Sequence, residues 1–202
     1  MLSLKYYPVD VVLREISKNV NQSEFGENLD KLLDEMINVM KEKKGLGLAA
    51  NQVGLTKRFF VLDMKALKER QIGHLKFDKD LLKDGKYLKV INPKFIEKQG
   101  EIVSEEGCLS VPGVYKKIKR ASFVVLEAYT PYGEKFTIEA EGIVAKALQH
   151  EYDHLDGTLF IDYLTPTQKR MFLPKYLKNL SKILGRKVTF ADVSKFEALK
   201  KR

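Results

Sequence analysis

Leu29, Leu32, Leu33, Met36, Ile37 and Met40 recur at i, i+3, i+4, i+7, i+8 and i+11, which is one apolar face of an amphipathic helix. This spacing predicts a helix over residues 26–43. A second stripe, Leu173, Leu177, Leu180 and Leu184, puts Lys175, Lys178 and Lys182 on a different face, with Pro174 in the first turn. Between the two stripes the period changes. Arg58 to Met64 reads as an apolar strand. Tyr87 to Ile91, Lys94 to Lys98 and Gly100 to Ser104 follow as short strands around Asn92-Pro93. Ser122 to Tyr129 is β-branched, and after the turn at Tyr132-Gly133 the segment Lys135 to Glu139 alternates polar residues with Phe136 and Ile138. Short turns between neighbours favour antiparallel pairing. Val9 to Ile16 predicts a brief helix with Val12, Leu13 and Ile16 inward, and residues 65–86 read as a charged surface insertion. A further helix starts at Gly142, with Ile143, Val144, Ala147, Leu148 and Leu155 buried and Gly157 as its C-cap. The expected fold class is α+β, with antiparallel β-sheets wrapped around this central helix and an N-terminal and a C-terminal helix at either end. Residues 1–184 form a single domain in this reading, and 185–202 a basic C-terminal tail.

Composition narrows the class without changing the layout. At 202 residues, 44% hydrophobic and 31% charged, the chain can bury one real core. Its single cysteine cannot form an internal disulfide, which excludes a stapled secreted scaffold and fits a reducing compartment. The first ten residues lack a signal-peptide core and no apolar run is long enough to span a bilayer, so a cytoplasmic protein without a membrane partner is expected; a monomer is the default expectation, which nothing in the residues decides. Charge is unevenly spread. Residues 166–202 hold eleven Lys or Arg against Asp192 and Glu197, an excess equal to the +9 of the whole chain. A neutral body with a basic end suits a polyanion partner or a solvated face, and charge alone does not choose between them.

The helix after Gly142 carries Gln149-His150-Glu151-Tyr152-Asp153-His154. Two histidines four residues apart stand on one helical face and can reach one metal ion, while the intervening Glu151 suits a general base. The bland alternative is a helix whose histidines sit in the core. A third ligand decides between these, and Cys108 in Glu106-Gly107-Cys108-Leu109-Ser110 is the candidate, held in a loop-like conformation that Pro112-Gly113 ends. A lone cysteine is more often a small buried hydrophobe. Beside an H-E-x-x-H helix, one sulfur and two nitrogens match a catalytic tetrahedral site that keeps its fourth position for water. His74, in the insertion, is not assigned as a ligand. Gly45-Leu46-Gly47-Leu48-Ala49-Ala50-Asn51-Gln52 lacks the Gly-Lys-Ser/Thr ending of a phosphate loop; its glycines let a peptide backbone lie close, and Gln52 offers an amide donor.

Taken together, these three segments resemble, in order and spacing, the signature motifs of the bacterial-type peptide deformylase family. The resemblance implies a metal-dependent hydrolase that removes the N-formyl group from the N-terminal formylmethionine of nascent polypeptides and releases formate. It implies that Cys108, His150 and His154 bind the metal and that Glu151 is the acid/base. Gln52, through its side-chain amide, and Leu109, through its backbone N–H, would serve the developing oxyanion. Leu46, Ile143 and Ala147 would form the methionine pocket, with Gly47 presenting main chain to the peptide; each of these also suits plain core packing. The implied cofactor is one divalent ion, Fe2+, for which Ni2+, Co2+ or Zn2+ can substitute. The implied partners are the formylated nascent peptide and the ribosome near its exit tunnel, met by the basic C-terminal helix. Tyr152 and Asp156 depart from the family's commonest residues, and Lys146 lies one turn before His150, where its stem can line the site mouth. Two other classes stay open: a zinc endopeptidase drawing a later His or Glu as third ligand, and an RNA-binding module with a structural metal.

Overall fold

The computed structural model describes residues 2–199. The first stripe folds as helix α1, Glu27–Glu42, and buries Leu29, Leu33, Met36, Ile37 and Met40. Strand β1, Gly47–Ala49, pairs antiparallel with β2, Phe59–Asp63. Alternation along β2 sends Phe60 and Leu62 into one core and Phe59 and Val61 into another under α1, so the strand is apolar throughout because both faces are covered. The brief helix expected over Val9 to Ile16 is a single 3-10 turn, Val11–Arg14. Leu13 is buried there but Ile16 is 72% exposed, so the helical spacing of the apolar residues was misleading.

Residues 65–86, expected as a charged surface insertion, contribute to the core. Helix α2, Met64–Lys68, buries Leu67 completely, and strands β3, Leu75–Lys76, and β4, Leu82–Lys83, pair with longer strands. Leu75, Phe77, Leu81 and Leu82 pack on the same cluster as β2. Strand β5, Tyr87–Gln99, runs through Asn92-Pro93 where two strands were expected. Asn92 takes a left-handed φ of 48° at a register shift, and its side-chain amide exchanges hydrogen bonds with the Val20 backbone, which lets the chain bend without ending the strand.

Strands β6, Ile102–Cys108, and β7, Val111–Arg120, form a separate two-stranded sheet, while β8, Phe123–Tyr129, and β9, Lys135–Glu141, complete the large one. Strand β7 was not anticipated, since Pro112-Gly113 and its lysines mask the inward alternation of Val111, Val114 and Ile118. The seven-stranded antiparallel sheet runs β1-β2-β5-β8-β9-β3, with β4 also on β5. Against it lies α3, Gly142–Leu155, the expected central helix, closed by Gly157 at φ 65°.

Helix α4, Pro166–Leu184, starts eight residues earlier than Pro174 would suggest. Thr165 caps it by accepting from the Gln168 backbone N–H, and Pro174 falls inside the helix on an exposed position. Beyond it, the segment expected as a basic tail forms α5, Phe190–Ala198; residues 200–202 of that tail lie outside the described residues. Phe196 is buried edge-on against Tyr7 with the Arg14 guanidinium 4.6 Å from its ring centroid, and Arg14 also binds Asp162 and Glu197. Among the described residues no helix is long and apolar enough to cross a membrane.

Candidate active site

Helix geometry brings His150 and His154 together, with ring centroids 5.1 Å apart. Cys108 joins them from the end of β6, at the two-residue turn that leads into β7. It lies at the end of a strand, not in an independent loop, so sheet pairing fixes its position. Its Sγ is 3.2 Å from His154 Nε2, and one ligand atom from each of Cys108, His150 and His154 lies within 4.8 Å of the others. A small divalent ion with bonds of about 2.0–2.3 Å needs donors about 3.3–3.6 Å apart, so this trio fits one. His74 is elsewhere, against Glu139.

A second ring of side chains holds the first, and sequence reading missed it. Glu106 lies two residues before Cys108 on the same face of β6, and His150 donates from Nδ1 to Glu106 Oε2 at 2.9 Å. A carboxylate can only accept, so this bond puts the proton on Nδ1 and leaves Nε2 as the donor atom for a cation. Arg120 of β7 grips Glu106 with two bonds, Nε to Oε1 at 2.8 Å and Nη2 to Oε2 at 3.0 Å, and also binds Asp153 of α3. The period-2 relation of Glu106 to Cys108 was the available signal; nothing local marked Arg120.

The two histidines are shifted in opposite directions. Burial alone would lower the pKa of His150, but its contacts with Cys108 and Glu106 outweigh that and hold it well above the usual range. Burial and the adjacent His150 hold His154 well below it. Glu106 resists the upward push of burial through His150 and Arg120 and sits at about 2.

Glu151 is 5% exposed, and burial raises it to about 7. It lines the cleft, and among the described residues its Oε2 has no hydrogen-bond partner. Gly47 packs so tightly on this carboxylate that a Cβ there would overlap it. Gln52 is buried in the 3-10 turn Ala50–Val53 that follows β1, with its amide orientation set: Oε1 accepts from the Ala49 backbone N–H at 2.8 Å, so Nε2 points toward Ser110 Oγ at 3.1 Å and Cys108 Sγ at 3.4 Å. A cavity of about 550 Å³ is lined by Gln52, Cys108, Leu109, His150 and Glu151, and the same cavity is lined by Leu46, Gly47, Ile143 and Ala147. His154 lies behind it, 1% exposed. The candidate residues thus share one site, in which α3 supplies the histidines and the carboxylate, β6 the sulfur, and the glycine-rich strand the opposite wall.

Comparison with known proteins adds to this geometry. The sequence model of the polypeptide deformylase family matches residues 1–170. The peptide deformylase of Thermodesulfovibrio yellowstonii is 39% identical over 176 residues, covering 87% of this chain and 96% of that protein. That of Fusobacterium nucleatum is 40% identical over 180 residues, covering 89% and 92%. Among solved structures, a peptide deformylase from Legionella pneumophila superposes with a TM-score of 0.76 at 36% identity, covering 93% of this chain and 99% of that one.

Proposed function

This chain belongs to the polypeptide deformylase family, and from that premise we propose a role for each residue of the cleft. The reaction is the metal-dependent hydrolysis that removes the N-formyl group from the N-terminal formylmethionine of nascent polypeptides. Cys108, His150 and His154 hold the ion; a mixed thiolate and imidazole set accepts Fe2+, our choice for the native metal, as well as Ni2+, Co2+ or Zn2+. When bound, such an ion supplies a Lewis acid and lowers the pKa of water at the site.

The remaining chemistry belongs to side chains. Glu151 accepts a proton from the attacking water and passes it to the departing amine, a task for which a carboxyl group near pH 7 is suited. As the formyl carbon becomes tetrahedral its oxygen gains negative charge, and the Gln52 Nε2 amide and the Leu109 backbone N–H donate to it; one such donor is typically worth about 3–4 kcal/mol of barrier. Leu46, Ile143 and Ala147 take the methionine side chain. Strand β1 is an edge of the large sheet, so backbone groups at Gly47 are available to pair with an extended peptide. Glu106 and Arg120 keep His150 aimed and aligned.

We assign the catalytic unit to residues 1–184, acting as a cytoplasmic monomer. Lys175, Lys178 and Lys182 are exposed on α4 while Leu173, Leu177 and Leu180 face inward, and that division supports docking of this helix on ribosomal RNA near the exit tunnel. The observation that carries the catalytic reading is the convergence of Cys108, His150 and His154 beside an unpartnered Glu151 oxygen. Anaerobic assays with iron or nickel, comparing a formylmethionyl peptide with its unformylated form, test it. Formate release that Glu151→Gln abolishes while metal is retained supports the assignment. Activity surviving in that variant removes Glu151 from the mechanism.

A further inference from the structure

The mouth of the cleft carries charge that the hydrolysis does not use. Lys43, Lys44, Arg70 and Lys146 all line it. Lys43 pairs with Glu42, whereas no ion pair engages Lys44, Arg70 or Lys146 among the described residues. Three acids line the same cavity. Of these, Glu106 is bound by Arg120 and His150, and Glu151 is buried on the floor, so only Glu105 faces the cations from the rim.

Lys146 is the best defined of the set. It projects from α3 one turn before His150 and is half-buried, and its Nζ donates to the Glu105 backbone carbonyl at 2.9 Å. An ammonium has three donors, so this bond leaves capacity for a ligand. Burial draws the pKa of Lys146 down against the upward pull of Glu106 and Glu105, and Arg120 and Arg70 push the same way as burial, so the ammonium stands in a partly dry space shared with other cations. A formylated N-terminus brings no charge of its own. The nearest anion a substrate can offer is a carboxylate in the residues that follow methionine. Three extended residues span about 10 Å, and Lys146, Arg70 and Lys44 line the same cleft of about 550 Å³ as Glu151 and His150.

Resting on the deformylase assignment of this cleft, we propose that Lys146, Arg70 and Lys44 form a subsite that selects formylmethionyl chains with Asp or Glu at the second to fourth position. Lys146 acts here on specificity and not on the reacting atoms. The test uses the full-length, metal-loaded protein and matched peptides with Glu or Gln at position two, three or four. The readout is the Glu to Gln ratio of kcat/KM, followed by formate release at low and high salt. A ratio of about three- to five-fold at one of these positions is expected, as for a partly exposed ion pair, and it falls toward one in high salt. It also falls toward one in the Lys146→Gln Arg70→Gln double variant, in which Gln at 146 keeps an N–H for the Glu105 carbonyl. A ratio of one or less at all three positions overturns the proposal. So does a ratio unchanged in the double variant, including the case in which both rates drop together, because Lys146 is then a strut between α3 and β6. Formate from none of the peptides overturns the deformylase reading and this subsite with it, an outcome distinct from formate released without preference.

Discussion

Adding one methyl group at Gly47 tests whether the position of Glu151 limits the rate. A Cβ there would stand 2.7 Å from Glu151 Cδ and 2.9 Å from Cγ, where ordinary contact begins at 3.4 Å. Gly47 has no positive φ, so alanine meets no backbone strain and the whole burden falls on the carboxylate. Relief requires Glu151 Cδ to withdraw by about 0.7 Å and its nearer Oε1 by more, and displacements near 1 Å in a reacting group cost on the order of 100-fold in rate. Overpacking a buried contact costs about 1–3 kcal/mol of stability, which for a chain of this size lowers Tm by roughly 2–12 °C. Gly47→Ala is therefore expected to remain folded at assay temperature, to keep its metal, and to lose about 10- to 100-fold in kcat/KM on a formylmethionyl tripeptide. Formate release under anaerobic conditions, with metal content measured on the same sample, is the assay. A Gly47→Ala enzyme within two-fold of the parent would refute the claim that this glycine sets the position of the carboxylate.

Three further outcomes follow from the same geometry. Arg120→Leu leaves the buried Glu106 without its bidentate partner, so a loss of about 3–5 kcal/mol in denaturant unfolding and a 10- to 100-fold weaker metal affinity are expected; unchanged metal affinity would separate Arg120 from the site. Glu106 has a folded pKa of about 2, below its unfolded value, so its contribution is complete above about pH 4.5 and is lost as pH falls toward 2. In the metal-free protein that amounts to about 3 kcal/mol, and Glu106→Gln should flatten the acid limb of the stability profile; a profile of the same slope in the variant contradicts it. Phe196→Ala empties a fully packed place between Tyr7 and Arg14 and should cost about 3–5 kcal/mol, read as Tm; a shift under one degree would show that α5 is a dispensable appendage.

Much of the site is legible in the chain because the chemistry rides on local periodicity. His150 and His154 share a face in any α-helix, Glu151 between them follows automatically, and the stripe from Leu29 to Met40 can only be a helix with one buried side. Cys108 was a candidate from the chemistry of a free thiol beside two histidines, and resemblance to a family supplied the oxyanion roles of Gln52 and Leu109, which periodicity alone leaves ambiguous. Signals failed where charge and punctuation hid a pattern: Pro112-Gly113 concealed β7, Asn92-Pro93 was taken to break a strand that only bends, and lysines around Leu67 and Phe196 disguised core positions.

The order of hydrophobic and polar residues thus determined which segments are helix and strand and which face of α3 bears the ligands. Only the tertiary structure decided that the sulfur at the end of β6 reaches a histidine 46 positions away, that Arg120 closes the ring behind Glu106, and that Lys146 meets Arg70 over one cleft. The physical reason is range. Backbone dihedrals fix neighbours three or four residues apart, while contacts between distant segments exist only after loops are closed and apolar faces are packed together, and no local pattern records which partners that packing brings into contact.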